Sequence, residues 1–397
     1  LLEKSYGLQF GQTGQSLYNA KNVPVSIDRE SILSQQSSEN VSTNHPTAAT
    51  EAYDSILLIS FGGPEGREDV IPFLENVLRG RPVPRERMLE VAEHYYHFGG
   101  VSPINGHCRE LIAALRQELD ARGVTLPIYW GNRNWKPMLP DTLREMAADG
   151  LRRAVGVVTA AFSSYSSCRQ YRENVQQAQA AVEGTAPQVD KLRVFYNHPL
   201  FISASRDRVA AALEQIPESR RSQTHIAFTA HSIPTSMANQ CDYVKQLTES
   251  CRLVAESLGI GTERWKLVYQ SRSGRPEDPW LDPDVNDHLK SLREAGVSDV
   301  VVMPIGFLSD HMEVLFDLDE EAQQTCGQIG LNMVRAATVG VHPDFVRMFA
   351  DLIQERIANA AERPAIGNYP ANHDVCPVDC CPAPVMRRPG PPAGTAT

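Results

Sequence analysis

Apolar residues in this chain fall into short runs separated by longer stretches where they recur at every third or fourth position. The runs occupy residues 55–61, 128–131, 155–159, 193–196, 226–230, 266–269, 300–304 and 336–338. They are rich in β-branched and aromatic residues and too short for helices, so they predict strands. In the intervening stretches Leu111, Ile112, Leu115 and Leu119 share one helical face, as do Val209, Ala212 and Leu213. Strands alternating with amphipathic helices predict an α/β protein with parallel sheets, because parallel neighbours need a crossover and strands covered on both faces read as continuous apolar runs.

A chain of 397 residues exceeds one ordinary core and suits two domains. The strands divide four and four at the loop-like Glu183-Gly184-Thr185-Ala186-Pro187. The expected organisation is a disordered leader (1–52), a first domain (53–186), a second domain (187–342), a C-terminal helix (343–362) packing back on the first domain, and a cysteine-containing tail (363–397). The leader is predicted disordered because residues 22–50 are rich in Ser, Asn, Thr and Gln with little apolar periodicity.

Composition narrows the function. The formal charge of -10, with no Lys/Arg cluster, argues against nucleic acid as a partner. No apolar run approaches the ~18 residues that a transmembrane helix needs. The leader has no charged segment followed by an apolar core, so no secretory signal is predicted and the cytoplasm is the expected compartment. Five of the eight cysteines are scattered through helical segments in the manner of reduced thiols.

Candidate chemistry gathers just past the strand ends, where open α/β sheets bind ligands. The turn Phe61-Gly62-Gly63-Pro64 permits close backbone approach, or is a plain turn before a helix. Trp130, Arg133, Trp135 and Lys136 in one segment suit a flat ligand bearing carboxylates, or a Trp packing anchor with a solvated Arg. The hydroxyls of residues 161–171 line a pocket or cap the next helix. His198, His231 and His311 all sit at strand ends, and imidazole suits both borderline metals and proton transfer near neutral pH. Glu313, Asp317 and Glu321 follow at i, i+4 and i+8, on one helix face, where like charges repel unless cations visit them. Cys376, Cys380 and Cys381 form a thiolate cluster suited to zinc or iron–sulfur ligation; Cys168 supplies a fourth ligand only if the tail folds back, and free thiols or a disulfide are the alternative.

Together these segments resemble the ferrochelatase family, from about Tyr53 to Ala361. The resemblance is carried by Phe61-Gly62-Gly63-Pro64, Gly99-Gly100-Val101-Ser102-Pro103-Ile104, Ala230-His231-Ser232-Ile233-Pro234, Tyr269-Gln270-Ser271-Arg272, and the run from Pro304 to Glu313. It implies two Rossmann-like domains of the chelatase superfold, each a four-stranded parallel sheet flanked by helices, with a porphyrin cleft between them. The implied activity is a lyase reaction, insertion of Fe2+ into a porphyrin in haem biosynthesis, with iron as substrate and no nucleotide cofactor.

By this resemblance His198 and Glu313 face each other across the macrocycle, binding iron or taking the pyrrole protons, and Asp317 and Glu321 form a metal or proton path. Phe61, Arg133, Trp135, Tyr165 and Ser232 border the porphyrin, while His231 and His311 play structural parts. Phe61, the segment from Ser163 to Tyr171 and the cysteine tail are similar to the actinobacterial branch. That branch implies a 2Fe-2S cluster on Cys168, Cys376, Cys380 and Cys381, and coproporphyrin III as substrate, giving coprohaem. Protoporphyrin IX is the alternative substrate; a cobalt or nickel chelatase, or a tetrapyrrole carrier without catalysis, fits the motifs less well. Transient contact with neighbouring haem-pathway enzymes is a further expectation.

Overall fold

The computed structural model describes residues 52–80, 83–273 and 277–383, and here the apolar runs build two sheets of four parallel strands. The predicted leader, up to residue 51, and the tail beyond residue 383 lie outside the described residues. The first sheet contains β1 (Ser55–Ser60), β2 (Ile128–Asn132), β3 (Arg153–Val158) and β4 (Gln188–Lys191) in the order β2-β1-β3-β4. The second contains β5 (His225–His231), β6 (Trp265–Gln270), β7 (Asp299–Met303) and β8 (Asn332–Arg335) in the order β6-β5-β7-β8. Both sheets therefore follow one winding pattern.

The central strands are buried on both faces. In β1, Ile56 and Leu58 pack with Leu111, Leu115 and Leu119 of the helix Ile104–Ala121. Leu57 and Ile59 pack on the opposite side with Leu139, Leu143 and Met146 of the helix Leu139–Ala148. This two-sided burial is what the continuous apolar runs encode.

Two edge strands lie away from their predicted places. The run 193–196 does not pair; the fourth strand is Gln188–Lys191, in register with Arg153–Gly156. Likewise the last strand is Asn332–Arg335 rather than 336–338. An edge strand needs partners on one side only and can be short and polar, whereas Val194, Phe195 and Tyr196 are apolar because they enter the core. The Phe195 ring lies 5.2 Å from that of Phe349 on the C-terminal helix. The first sheet thus extends past the expected division at 186.

The helix Pro343–Ile357 packs on the helices Ile104–Ala121 and Pro199–Glu214, one from each half. A buried ion pair fixes it: Arg193, its side chain fully enclosed, donates to both Glu355 oxygens at 2.7 and 3.0 Å. Breaking a buried pair leaves an uncompensated charge. Glu355→Ala is therefore expected to cost about 3–5 kcal/mol of unfolding free energy, and Glu355→Gln less, as measured by urea denaturation of the purified chain.

Candidate active site and cysteine pocket

His231 is the last residue of β5, and Glu313 opens the helical segment that follows β7. The two side chains face each other, His231 Nε2 lying 3.7 Å from Glu313 Oε1. Local bonding sets the imidazole tautomer. His231 Nδ1 meets the Ser232 carbonyl, an acceptor only, so Nδ1 carries a proton, and Nε2, facing the Glu313 carboxylate, is the nitrogen that titrates. Burial alone lowers the affinity of His231 for a second proton, but the Glu313 charge and hydrogen bond outweigh it and raise it. Burial pushes the Glu313 carboxyl up, and the same partner reverses this, holding it well below the usual carboxylate range.

The imidazole beside Glu313 is thus that of His231, whereas His198, expected to face this carboxylate, makes no hydrogen bond or ion pair with it among the described residues. His198 is the N-cap of the helix Pro199–Glu214, and its Nδ1 accepts the Leu200 amide at 3.2 Å. The ring proton must then sit on Nε2, a buried atom with no protein partner. Burial, reinforced by Arg193, pulls the imidazole down to about 4. A capping ring whose free nitrogen is already protonated is a poor base and a poor ligand. His311 caps in the same way, its Nδ1 accepting the Glu313 amide at 3.2 Å, and so orients the first turn of the Glu313 segment.

The carboxylate row runs along this segment, whose middle, Leu315–Ala322, is wound as a π-helix. Asp317 is buried and accepts from Ser271 Oγ and from Gln270 Nε2, the latter at 3.3 Å. Gln270 also donates to the Glu313 carbonyl at 3.0 Å, so the end of β6 holds both carboxylate residues. Burial raises the Asp317 carboxyl to about 6, aided by the charges of Glu313 and Glu321 and opposed by the Ser271 bond. Glu321, half-buried, lies one turn further out. The helix Arg85–His97 of the first half reaches this row: His97 Nε2 meets Glu320 at 3.1 Å, and the His94 ring lies 3.9 Å from that of Phe316.

Phe61 and Arg133 follow β1 and β2. The Phe61 ring lies 6.3 Å from Phe73, which lies 5.7 Å from Tyr95, and Tyr95 is within electrostatic reach of Glu313. This aromatic chain connects the two sets of strand ends. Gly62 at φ +80° is required there, since a Cβ would stand 2.9 Å from Asn132 Cβ. Arg133 lies over the Phe61 and Tyr171 rings, at 5.6 and 4.5 Å from their centroids, and donates to Asn174.

Three of the expected porphyrin neighbours are otherwise engaged. Trp135 is buried against Phe73 and donates to Asp69, so it anchors packing. The Ser232 hydroxyl is buried and donates to the Leu281 carbonyl at 2.7 Å. Tyr165, half-buried, bonds Glu173 at 3.2 Å. The sequence pattern marks no site role for Tyr95, for Gln270 and Ser271 of the 269–272 motif, or for Tyr243, whose hydroxyl donates to the His231 carbonyl at 3.1 Å. The position of Gln270 and Ser271 at a strand end was the available signal; Tyr243 and Tyr95 had none.

The tail folds back on the first half. Cys168, Cys376, Cys380 and Cys381 line one small pocket together with Arg169, Arg172 and Lys191. Arg169 donates to the carbonyls of Val378 and Cys380 at 2.8 and 3.0 Å, and Arg172 to those of Cys376 and Pro377 at 3.2 and 3.1 Å. The Cys168 hydrogen bond, with help from Lys191 and Arg172, brings the Cys376 thiol down to about 7, while the same bond and burial push Cys168 up, and burial and Cys380 push Cys381 up. Four convergent thiols in a cationic setting suit a centre of negative charge.

A family model described as ferrochelatase matches residues 53–357. A ferrochelatase of Rhodopirellula baltica is 59% identical over 83% of this chain and 93% of its own length. A coproporphyrin III ferrochelatase of Streptomyces griseus is 51% identical over 87% of this chain and 96% of its own. Another protein of that name, from Nocardia farcinica, is 48% identical over 79% and 90%.

The raised Asp317 carboxyl carries a signed consequence. Between its ordinary value of 3.8 and about 6 the folded state binds more protons than the unfolded one, so this group's stabilising contribution, complete below 3.8, is lost as pH rises through 6. Asp317→Asn is expected to remove that loss: its urea midpoint relative to the parent should climb from pH 4 to pH 6.5 and then level off.

Proposed function

The chain belongs to the ferrochelatase family, and on that premise we propose that it inserts Fe2+ into coproporphyrin III, with His231 and Glu313 at the insertion site. The observation that carries this reading is the 3.7 Å approach of His231 Nε2 to Glu313, with Nδ1 committed to a carbonyl so that Nε2 is the titrating nitrogen. Insertion releases two pyrrole protons for each iron taken up. Neutral His231 accepts a proton at Nε2, becoming an imidazolium that the Glu313 carboxylate stabilises. Asp317, with an affinity near neutrality, relays protons outward along the row toward Glu321. Phe61 and Arg133 border the macrocycle at the ends of the first sheet, Arg133 offering its guanidinium to a substrate carboxylate.

The choice of coproporphyrin III is supported by relatives of that name from Streptomyces and Nocardia. The cysteine pocket supports a resident 2Fe-2S cluster held by Cys168, Cys376, Cys380 and Cys381, whose thiols converge with Arg169, Arg172 and Lys191 around them. When bound, such a cluster supplies a one-electron redox couple or a structural cross-link.

His231→Ala and Glu313→Gln are each expected to lower kcat for iron insertion at least a hundredfold with the fold retained, the size of a lost general base. His198→Ala should lose stability instead, its insertion rate per folded molecule staying within a few fold. Fluorimetric assay with coproporphyrin III and protoporphyrin IX side by side checks both points; a preference for protoporphyrin IX overturns the substrate assignment. The anaerobically purified chain should show thiolate-to-iron absorption in the visible, absent from Cys168→Ser.

A further inference from the structure

Five metal-binding side chains lie on the docked tail and in the pocket under it, one more than a cluster with four protein ligands uses. Besides the four cysteines of the pocket, His373 offers a ring nitrogen: one ligand atom each from His373, Cys376 and Cys380 all lie within 4.8 Å of one another. The segment bearing them is clamped at both ends. Asp374 is bound by Arg356 and Arg363 at 3.5 and 2.5 Å, and the carbonyls of Cys376 and Pro377 by Arg172. Cys241 belongs to no such group among the described residues; its thiol donates to the Met237 carbonyl at 3.3 Å.

Cys381 is the unusual donor. It immediately follows Cys380, their sulfurs 3.6 Å apart, and its backbone takes φ +50°, a left-handed conformation that costs a residue with a Cβ. Cys380 and Cys381 both line the pocket with that conformation in place. His373 and Cys381 are both neighbours of the Cys380 sulfur, the first within 4.8 Å and the second at 3.6 Å.

We infer that His373 is a fifth donor of this centre, exchanging with Cys381 so that the cluster is held by four thiolates or by three thiolates and one imidazole. The inference rests on the cluster reading above. In the exchange Cys381 leaves as a thiolate that takes a proton from solvent, and His373 binds through a neutral ring nitrogen; no electron is transferred. Replacing a thiolate by an imidazole removes one negative charge from the centre and raises its reduction potential.

The test uses the full chain reconstituted anaerobically with iron and sulfide, assayed for both elements and examined after reduction by pulsed EPR with 15N-labelled histidine. Cys381→Ser is expected to keep the cluster and to show directly coupled histidine nitrogen. His373→Ala should keep a cluster without that coupling, and the double variant should hold none. Loss of the cluster in Cys381→Ser as complete as in Cys168→Ser, or its retention without histidine coupling, overturns the inference. Failure of the unmodified chain to take up iron and sulfide is a separate result that removes the cluster reading and this inference with it.

Discussion

Both sheets are parallel and covered on both faces, and this constraint places everything else. A side chain in the middle of β1 or β7 has no water within reach, so those strands carry no titratable group except at their ends. The site's side chains emerge where a strand runs out: His231 after Ala230, Gln270 and Ser271 at the end of β6, Phe61 and Arg133 beyond β1 and β2. Because both halves wind in the same order, each delivers its functional residues at the same kind of place. The helices Arg85–His97 and Leu315–Ala322 then bring the two sets into contact.

Within that frame the chemistry turns on where each imidazole keeps its proton. His198, His311 and His342 all spend Nδ1 as an acceptor at a helix start, which obliges a neutral ring to be protonated at Nε2. His231 does the reverse, giving its Nδ1 proton to a carbonyl and leaving Nε2 able to accept. Three rings stiffen helix entries and one can act as a base, although all four share one residue type and similar flanks. The Asp207, His342 and Asp344 group illustrates the same logic, since its imidazole nitrogen toward Asp207 carries the proton and repels a cation.

The fold was legible because two-sided burial writes itself as apolar runs, and the carboxylate row because a helical period survives the π-helical winding of residues 315–322. The two edge strands were not legible. Gln188–Lys191 pairs through its backbone and needs little apolar character, while the neighbouring run that resembles a strand is core filler against the C-terminal helix. Among the site residues, Glu313 and Asp317 could be found by spacing, and Cys168 joined the tail cysteines as a spacing argument allowed. Which backbone group the Nδ1 of His198 or of His231 meets is something no periodicity carries. Trp135 and Ser232 show a related point, since a strand-end position says that a side chain can reach a cleft, not that its polar atom is free to do so.

The tail extends the same distinction between reach and freedom. Its path is fixed by bonds that need no metal: Asn197 to the Tyr369 carbonyl at 2.8 Å, the Asn368 amide to Glu249 at 2.6 Å, and the two arginines on the cysteine loop. These contacts come from both halves of the molecule, so the conformational entropy of ordering the tail is met before any thiol binds a metal. A pocket built in this way presents its thiols already gathered, and metal binding need only displace protons from them. The affinity of such a site reflects its ligands rather than the cost of assembling them.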